Sequence, residues 1–245
     1  MNVYGLIGYP LGHSFSKQYF TEKFEKEGIN DSLFESFPIS SIDEFPSLLK
    51  NNPLLKGLSV TIPYKEQVLQ FVDELSDEVT AIGATNSIKI NEGKLTAYNT
   101  DIAGFEISFG KLLKPHHTTA LVLGTGGASK AVQYVLKKLA IRFLVVTRNK
   151  GGRHPFITYP DIDAALMNEY SIIINCSPVG MYPNENEAPA IPYHLVSDRH
   201  YLYDLVYKPA ETLFLKNGRE RGATVQNGYE MLLLQAEESW RIWNG

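Results

Sequence analysis

The sequence predicts an α/β protein whose later part binds a dinucleotide, and three features predict it. Ala120 to Leu123 is an apolar, β-favouring run that ends in the glycine cluster Gly124-Thr125-Gly126-Gly127. Ala128, Ala131, Val132, Val135, Leu136 and Leu139 then recur at helical spacing, leaving one face able to pack on a sheet. A further apolar run, Ile141 to Val146, continues the alternation of strand and helix. Strand, tight glycine turn and helix bring backbone close to a pyrophosphate, and the N–H groups at the helix start hold its charge. A bare Gly-x-Gly is a common structural turn, and Ser129 fills the third fingerprint position. The flanking strand and helix carry the reading.

The end of the second strand says which dinucleotide. An NAD site usually has an Asp or Glu about 20 residues past the glycines, on the ribose 2′-hydroxyl. From Gly124 to Pro160 this chain has neither. It reads instead Thr147-Arg148-Asn149-Lys150-Gly151-Gly152-Arg153. The Arg148 guanidinium between two short polar side chains suits a 2′-phosphate, which a carboxylate would repel. Lys150 and Arg153 fit a solvated basic loop equally well. The cofactor expected is NADP.

Composition narrows the class. With 245 residues the chain has room for one large domain or two small ones. A net charge of −4, with aromatic residues spread rather than interleaved with Lys and Arg, argues against nucleic acid. Neither a bilayer-spanning apolar run nor a secretory signal is legible. The single Cys176 excludes an internal disulfide and a multi-cysteine zinc site. The expectation is a cytoplasmic protein with a small-molecule ligand and no membrane partner, as a monomer or homodimer.

Along the chain, Asn2 to Gly8 reads as a strand and 17–27 as a helix stopped by Gly28. The hydroxyls of Ser14 and Ser16 just ahead of that helix fit an anion, although a helix cap needs only one. Leu33 to Ile39 is a second strand and Ile42 to Lys50 a helix. Leu55 to Ile62 is a strand closed by Pro63, with Lys65 at the start of the next predicted helix, whose face is Val68, Leu69, Val72 and Leu75. A lysine at a helix N-terminus is electrostatically misplaced, which singles out Lys65 even though a solvated lysine is the commoner outcome.

A small-residue turn at Ala81 to Asn86 leads into the next strand, and Asn91-Glu92-Gly93-Lys94 is a hairpin turn. Asn99-Thr100-Asp101 leaves a carboxylate at a strand end, where α/β sheets meet substrates, with a helix N-cap as the equal alternative. Ile172 to Ser177 is a buried strand, and Cys176 in it a small hydrophobe. Tyr201 to Tyr207 is the next strand, and Thr212 to Asn217 a short helix closed by Gly218. The last helix, Asn227 to Trp240, carries an apolar stripe, with Trp240 and Trp243 covering the first domain. Its Gln235 either faces a ligand or caps a buried backbone group. The six His show no metal-ligand spacing.

Taken in order, these motifs resemble the shikimate dehydrogenase family over essentially the whole chain. They are Gly8-x-Pro10-x-x-His13-Ser14-x-Ser16, Val60-Thr61-x-Pro63-x-Lys65-Glu66, Gly83-Ala84-x-Asn86, Asn99-Thr100-Asp101-x-x-Gly104, Gly124-x-Gly126-Gly127-Ala128 and the stretch Gly228 to Gln235. Ser59 stands where the family usually has Asn, and Thr147-Arg148-Asn149 replaces its Asn-Arg-Thr order. The resemblance implies two α/β domains with a cleft between them. Residues 1–101 with 225–245 would form the substrate-binding catalytic domain, and 102–224 a Rossmann-like NADP-binding domain. Ser14 and Ser16 would hold the substrate carboxylate. Thr61, Lys65, Asn86, Asp101, Tyr207 and Gln235 would line the ring and its hydroxyls. Gly124, Thr125, Gly126, Gly127, Ala128, Thr147, Arg148, Asn149, Leu205 and Gly228 would contact NADP, with Asp77 near the nicotinamide.

The implied reaction is reversible reduction of 3-dehydroshikimate to shikimate by NADPH, in the shikimate pathway of aromatic amino-acid biosynthesis. Hydride delivery to a ketone needs a proton for the developing alkoxide, and Lys65 and Asp101 are the expected acid–base pair. A quinate/shikimate dehydrogenase accepting NAD would share every motif, with Arg148 counting against it. A non-catalytic shikimate- or NADP-binding sensor would have no need of the Lys65/Asp101 pair.

Overall fold

The computed structural model describes residues 1–12, 15–148 and 156–245. The chain forms two compact units, Met1–Thr100 with Ala236–Gly245, and Asp101–Gln235.

In the first unit the elements run β1 (Asn2–Gly8), α1 (Phe15–Glu27), β2 (Ser32–Pro38), α2 (Phe45–Asn51), β3 (Leu55–Val60), β4 (Glu74–Leu75), α3 (Asp77–Ile82), β5 (Ser87–Asn91) and β6 (Lys94–Tyr98). They build one six-stranded sheet of order β2-β1-β3-β5-β6-β4. Strand β1 is parallel to both β2 and β3, whereas β5 runs antiparallel to β3 and β6. Side chains alternate across the pleat. Val3 and Ile7 therefore join Leu58, Val60, Ile88 and the α2 residues Phe45 and Leu48 on one face. Tyr4 and Leu6 face the other way, onto Phe20 and Phe24 of α1, Phe34 of β2 and Trp243. The predicted hairpin is present, with positive φ at both Glu92 (51°) and Gly93 (82°), the pair of conformations a tight hairpin turn of matching twist demands.

After Lys65 the structure departs from the predicted helix. Gln67–Phe71 is a short 3-10 turn, and Leu75, assigned to a buried face, is 43% exposed. The sheet edge wins the competition. Strand β4 pairs with β6, and the Asp73 carboxylate takes the Leu95 N–H at 2.8 Å, so the chain is held extended where the helix would run. The dipole argument for Lys65 lapses with the helix.

The second unit follows with α4 (Thr100–Gly110), β7 (Thr119–Leu123), α5 (Gly127–Lys138), β8 (Arg142–Thr147), β9 (Phe156–Thr158), α6 (Ala164–Glu169), β10 (Ile172–Asn175), β11 (Tyr201–Asp204), α7 (Leu213–Arg219), β12 (Thr224–Asn227) and the start of α8 (Tyr229–Asn244), whose residues from Ala236 onward belong to the first unit. Its six strands are all parallel, in the order β12-β11-β10-β7-β8-β9. That is the doubly wound order, in which the chain reverses direction across the sheet between β7 and β10. Unbroken apolar strands such as Leu121 to Leu123 and Ile172 to Ile174 are fully buried, as a sheet covered on both faces requires.

Strand β12 extends this sheet by pairing with β11, so the units divide at 235/236 and not at 224/225. The strand predicted to reach Tyr207 ends at Asp204, and Gly218 lies inside α7 instead of closing it, at a point where a Cβ would strike Leu202. Among the described residues no helix is long and apolar enough to cross a membrane.

Glycine at 57 lets the last helix close on the first core, since a Cβ there would overlap the Trp243 indole. Gly57→Ala is expected to destabilise the protein by about 1–3 kcal/mol, the usual cost of overpacking a core. Urea unfolding followed by tryptophan fluorescence measures it; an unchanged midpoint would show that the indole moves aside freely.

Candidate active site

In the first unit, sheet topology gathers the predicted residues at one edge. Parallel strands β1 and β3 both end there, and the β5–β6 hairpin starts and finishes there. Backbone bonds join the ends: Thr61 N–H donates to Ile7 at 3.0 Å, Val60 N–H to Asn86 at 2.8 Å, and Thr85 N–H to Lys65 at 2.8 Å. Thr61 and Lys65, both partly exposed, and the buried Asn86 are thereby neighbours along one rim. Glycine is needed at Gly8 because a Cβ would meet Thr61.

Asn86 is the knot of this edge. Its Nδ2 donates to Thr100 Oγ1 at 2.9 Å and its Oδ1 accepts the Thr100 N–H at 2.7 Å. Thr100 Oγ1 also bonds Ser239 at 3.0 Å, and Asn99 Nδ2 donates to the Ala84 carbonyl at 2.9 Å. The backbone entering Asp101 is therefore fixed by buried side chains on both preceding residues. Asp101 itself, in the first turn of α4, is 6% exposed. Ser16 is partly exposed in the first turn of α1, while His13 and Ser14 lie outside the described residues. Asp77 is exposed at the first position of α3, just after the cap Ser76, where an acid complements the helix dipole.

In the second unit the glycine turn follows β7, at the point where the sheet reverses direction. Gly124 has φ +115°, and a Cβ on it would lie 3.3 Å from the Cys176 backbone; only glycine adopts that conformation without strain. Gly126 is the N-cap of α5, has no side-chain cap bond, and would have nothing within 4 Å of a Cβ. Open space thus faces the start of a twelve-residue helix, with Gly127 and Ala128 in its first turn and Thr125 exposed beside it. Ser129, in the third fingerprint position, is fully buried. Its hydroxyl donates to the Gly124 carbonyl at 2.7 Å and accepts from Gln133 at 3.0 Å, tying turn to helix.

Thr147 ends β8 and Arg148 is exposed immediately after it; Asn149, with Lys150 and Arg153, lies outside the described residues. Leu205 and Gly228 are brought together so closely that a Cβ on Gly228 would collide with the Leu205 carbonyl. Tyr207, three residues past β11, is partly exposed, and burial raises its phenol pKa. Gln235 donates from Nε2 to the Leu232 carbonyl at 2.9 Å, and Gly104 lets α4 approach α8 at that residue.

Sequence reasoning passed over Asp204. It ends β11 fully buried, accepting from Thr212 Oγ1 at 2.5 Å, Asn175 Nδ2 at 2.9 Å and the Val206 N–H at 3.0 Å. Burial outweighs those three donors and pushes its pKa up to about 6. The only written signal is an acid closing an apolar strand, with Thr212 shortly after it. Burial, with the Asp204 charge second, pushes the Cys176 thiol far up, so it is an inert hydrophobe.

The residues present fit NADP. The open space at Gly126, the helix start without a side-chain cap and the exposed Arg148 supply what a pyrophosphate and a 2′-phosphate need. A glycine turn at the reversal point of a parallel sheet, with arginine in the place of the acid and a second α/β unit beside it in sequence, defines a two-domain NADP-dependent dehydrogenase.

Comparison with known proteins names the family. Residues 6–88 match the family model described as the shikimate dehydrogenase substrate binding domain. Shikimate dehydrogenase (NADP(+)) of Caldanaerobacter subterraneus subsp. tengcongensis is 35% identical, over 99% of this chain and 91% of the relative. Shikimate dehydrogenase from Aquifex aeolicus superposes with a TM-score of 0.89 at 32% identity, covering 100% of this chain and 92% of the other. The Thermus thermophilus shikimate 5-dehydrogenase, solved in complex with NADP(H) and shikimate, gives a TM-score of 0.85 at 28% identity, covering 100% and 94%. The chain belongs to the shikimate dehydrogenase family.

A side chain at Gly124 would force a non-glycine residue to positive φ beside Cys176, a strain of about 1–3 kcal/mol. Gly124→Ala should weaken NADPH binding about tenfold, read by quenching of protein fluorescence. Wild-type affinity in the variant would remove the turn from the cofactor site.

Proposed function

We propose that the protein catalyses the reversible NADP-dependent reduction of 3-dehydroshikimate to shikimate, with Lys65 and Asp101 as its acid–base pair, in the cytoplasm. The observation that carries the cofactor half is Arg148 at the end of β8, exposed, in a stretch from Gly124 to Pro160 without an Asp or Glu. Full-length similarity to NADP-dependent shikimate dehydrogenases supports the substrate half.

Bound NADPH supplies the hydride. The Gly124 to Ala128 turn takes the pyrophosphate, Thr147, Arg148 and Asn149 the 2′-phosphate, and Leu205 and Gly228 complete the cofactor side. Asp77 is carried in this reading only on the family resemblance. Ser14 and Ser16 hold the substrate carboxylate, and Thr61, Asn86, Tyr207 and Gln235 orient the ring hydroxyls. Asn86 suits this because its amide is already immobilised on Thr100, so little ordering is left for substrate binding. As the carbonyl becomes an alkoxide, the Lys65 ammonium stabilises the growing charge and gives up its proton, with the Asp101 carboxylate supporting the cation. In the oxidative direction the neutral amine must accept that proton, so shikimate oxidation accelerates as pH rises.

Purified protein with shikimate should form NADPH, with little turnover on quinate or with NAD. Lys65→Ala should lower kcat by about 10²–10⁴-fold, the range for a lost general acid, with shikimate affinity within about threefold. Near-normal turnover in that variant would sink the role of Lys65. Arg148→Ala should raise the KM for NADP while leaving that for NAD unchanged. Comparable wild-type rates with NAD or quinate would assign the broader quinate/shikimate class, and shikimate binding without turnover a sensor.

A further inference from the structure

The buried Asp204 has no part in the reaction just described, yet it sits at the sheet edge where the cofactor and substrate residues of the second unit are carried. Its partners are all neutral donors: the Thr212 hydroxyl, the Asn175 amide and the Val206 N–H. Each belongs to a different piece of chain. Asn175 ends β10, and its Oδ1 accepts both the N–H and the hydroxyl of Ser177 at 3.0 and 2.7 Å, while its Nδ2 also reaches the Val179 carbonyl at 3.2 Å. Thr212 is the cap of α7. Val206 lies between Leu205 and Tyr207, and its carbonyl accepts the Gly228 N–H at 3.3 Å. One carboxylate therefore sets three segments: 175–179, 205–207 and the start of α7.

We propose that Asp204 is a positioning residue for ligand binding, holding Leu205 and Tyr207, and through Asn175 the Ser177–Val179 loop, in the arrangement that receives the cofactor and substrate. The inference rests on the reading that Leu205 and Gly228 face the cofactor and Tyr207 the substrate. With the folded pKa raised, the native state holds the proton more tightly than the unfolded chain, so the group's contribution to stability is full below about pH 4 and lost as pH rises through about 6. At neutral pH burial disfavours the ionised carboxylate relative to its protonated form, while its three donors lie on the segments that carry Leu205, Tyr207 and the Ser177–Val179 loop. The ionisable groups that feel its charge are Cys176 just past β10, Tyr203 on its own strand and Tyr193, and all three have pKa values pushed upward, so they stay neutral through pH 5–9. Near α7, Glu211 and Arg219 pair with each other at 2.6 Å on the surface.

The test combines NADPH binding, by equilibrium fluorescence titration, with steady-state kinetics on shikimate and thermal melting, for wild type, Asp204→Ala, Asp204→Asn, Thr212→Val and Thr212→Ser. Asp204→Ala should raise the NADPH Kd and the shikimate KM about tenfold, while kcat at saturation changes less than about threefold. Asp204→Asn, which makes one carboxylate oxygen a donor, should raise Kd about threefold at pH 7 and lose less affinity than wild type between pH 7 and pH 5, the remaining loss belonging to protonation of the cofactor's own 2′-phosphate. Thr212→Val should weaken binding about threefold, with Thr212→Ser restoring it because the hydroxyl is kept. Should Asp204→Ala fail to fold, the Thr212 pair and the pH profile of Asp204→Asn decide. A lowered Tm with wild-type Kd and KM would overturn the proposal in favour of a scaffolding role, and so would lost kcat with unchanged Kd. A wild type that binds NADPH without oxidising shikimate would instead overturn the proposed function, leaving the binding comparison to judge Asp204.

Discussion

Both sheets deliver their functional residues from chain ends that have left the ladder, and those ends must be held by something other than strand pairing. In each unit a buried amide side chain does it. Asn86 grips Thr100 by both of its polar atoms, and Asn175 grips the Ser177 turn on one side and Asp204 on the other. Inside a protein, a satisfied network of this sort fixes geometry more firmly than apolar contact, because any slip leaves a buried donor or acceptor unpaired. In the proposed reaction these knots matter because an acid–base group or a glycine turn is useful only if it stays where it is put.

Close backbone approach is the second requirement, and the chain meets it by leaving side chains out. Gly124 runs against the end of β10 with positive φ, Gly228 lies on the Leu205 carbonyl, and Gly8 lies against Thr61. Ser129 takes a different route. Its hydroxyl occupies the space between helix and strand and bonds the Gly124 carbonyl, so the turn gains a hydrogen bond in the place where another glycine would give only proximity.

What could be read beforehand follows the range of the interaction. The glycine turn, the Asn91–Lys94 hairpin and the apolar stripe of the last helix are specified by neighbours in sequence, and all three were legible. The segment after Lys65 was misread because its apolar spacing fits a helix, while the pairing of Glu74 and Leu75 with β6 and the bond from Asp73 to Leu95 pull it to a sheet edge. Strand β12 was missed for a related reason: Thr224 to Asn227 is short and mixed in polarity, and only its place beside β11 makes it a strand. Among the candidate site residues, the expectation for Arg148 rests on local chemistry alone. Asp204 was invisible because its partners, Asn175 and Thr212, are remote in sequence from one another.

The packing of Trp243 orders events during synthesis. The core formed by Tyr4, Phe20 and Phe34 is sealed by an indole from near the other end of the chain, and the first unit includes Ala236–Gly245. A ribosome must therefore complete the whole of the second unit before the first can close its own interior. Until then the sheet of the first unit presents an open aromatic face to solvent, a surface suited to chaperone capture or to aggregation. The domain that starts first is the one that finishes last.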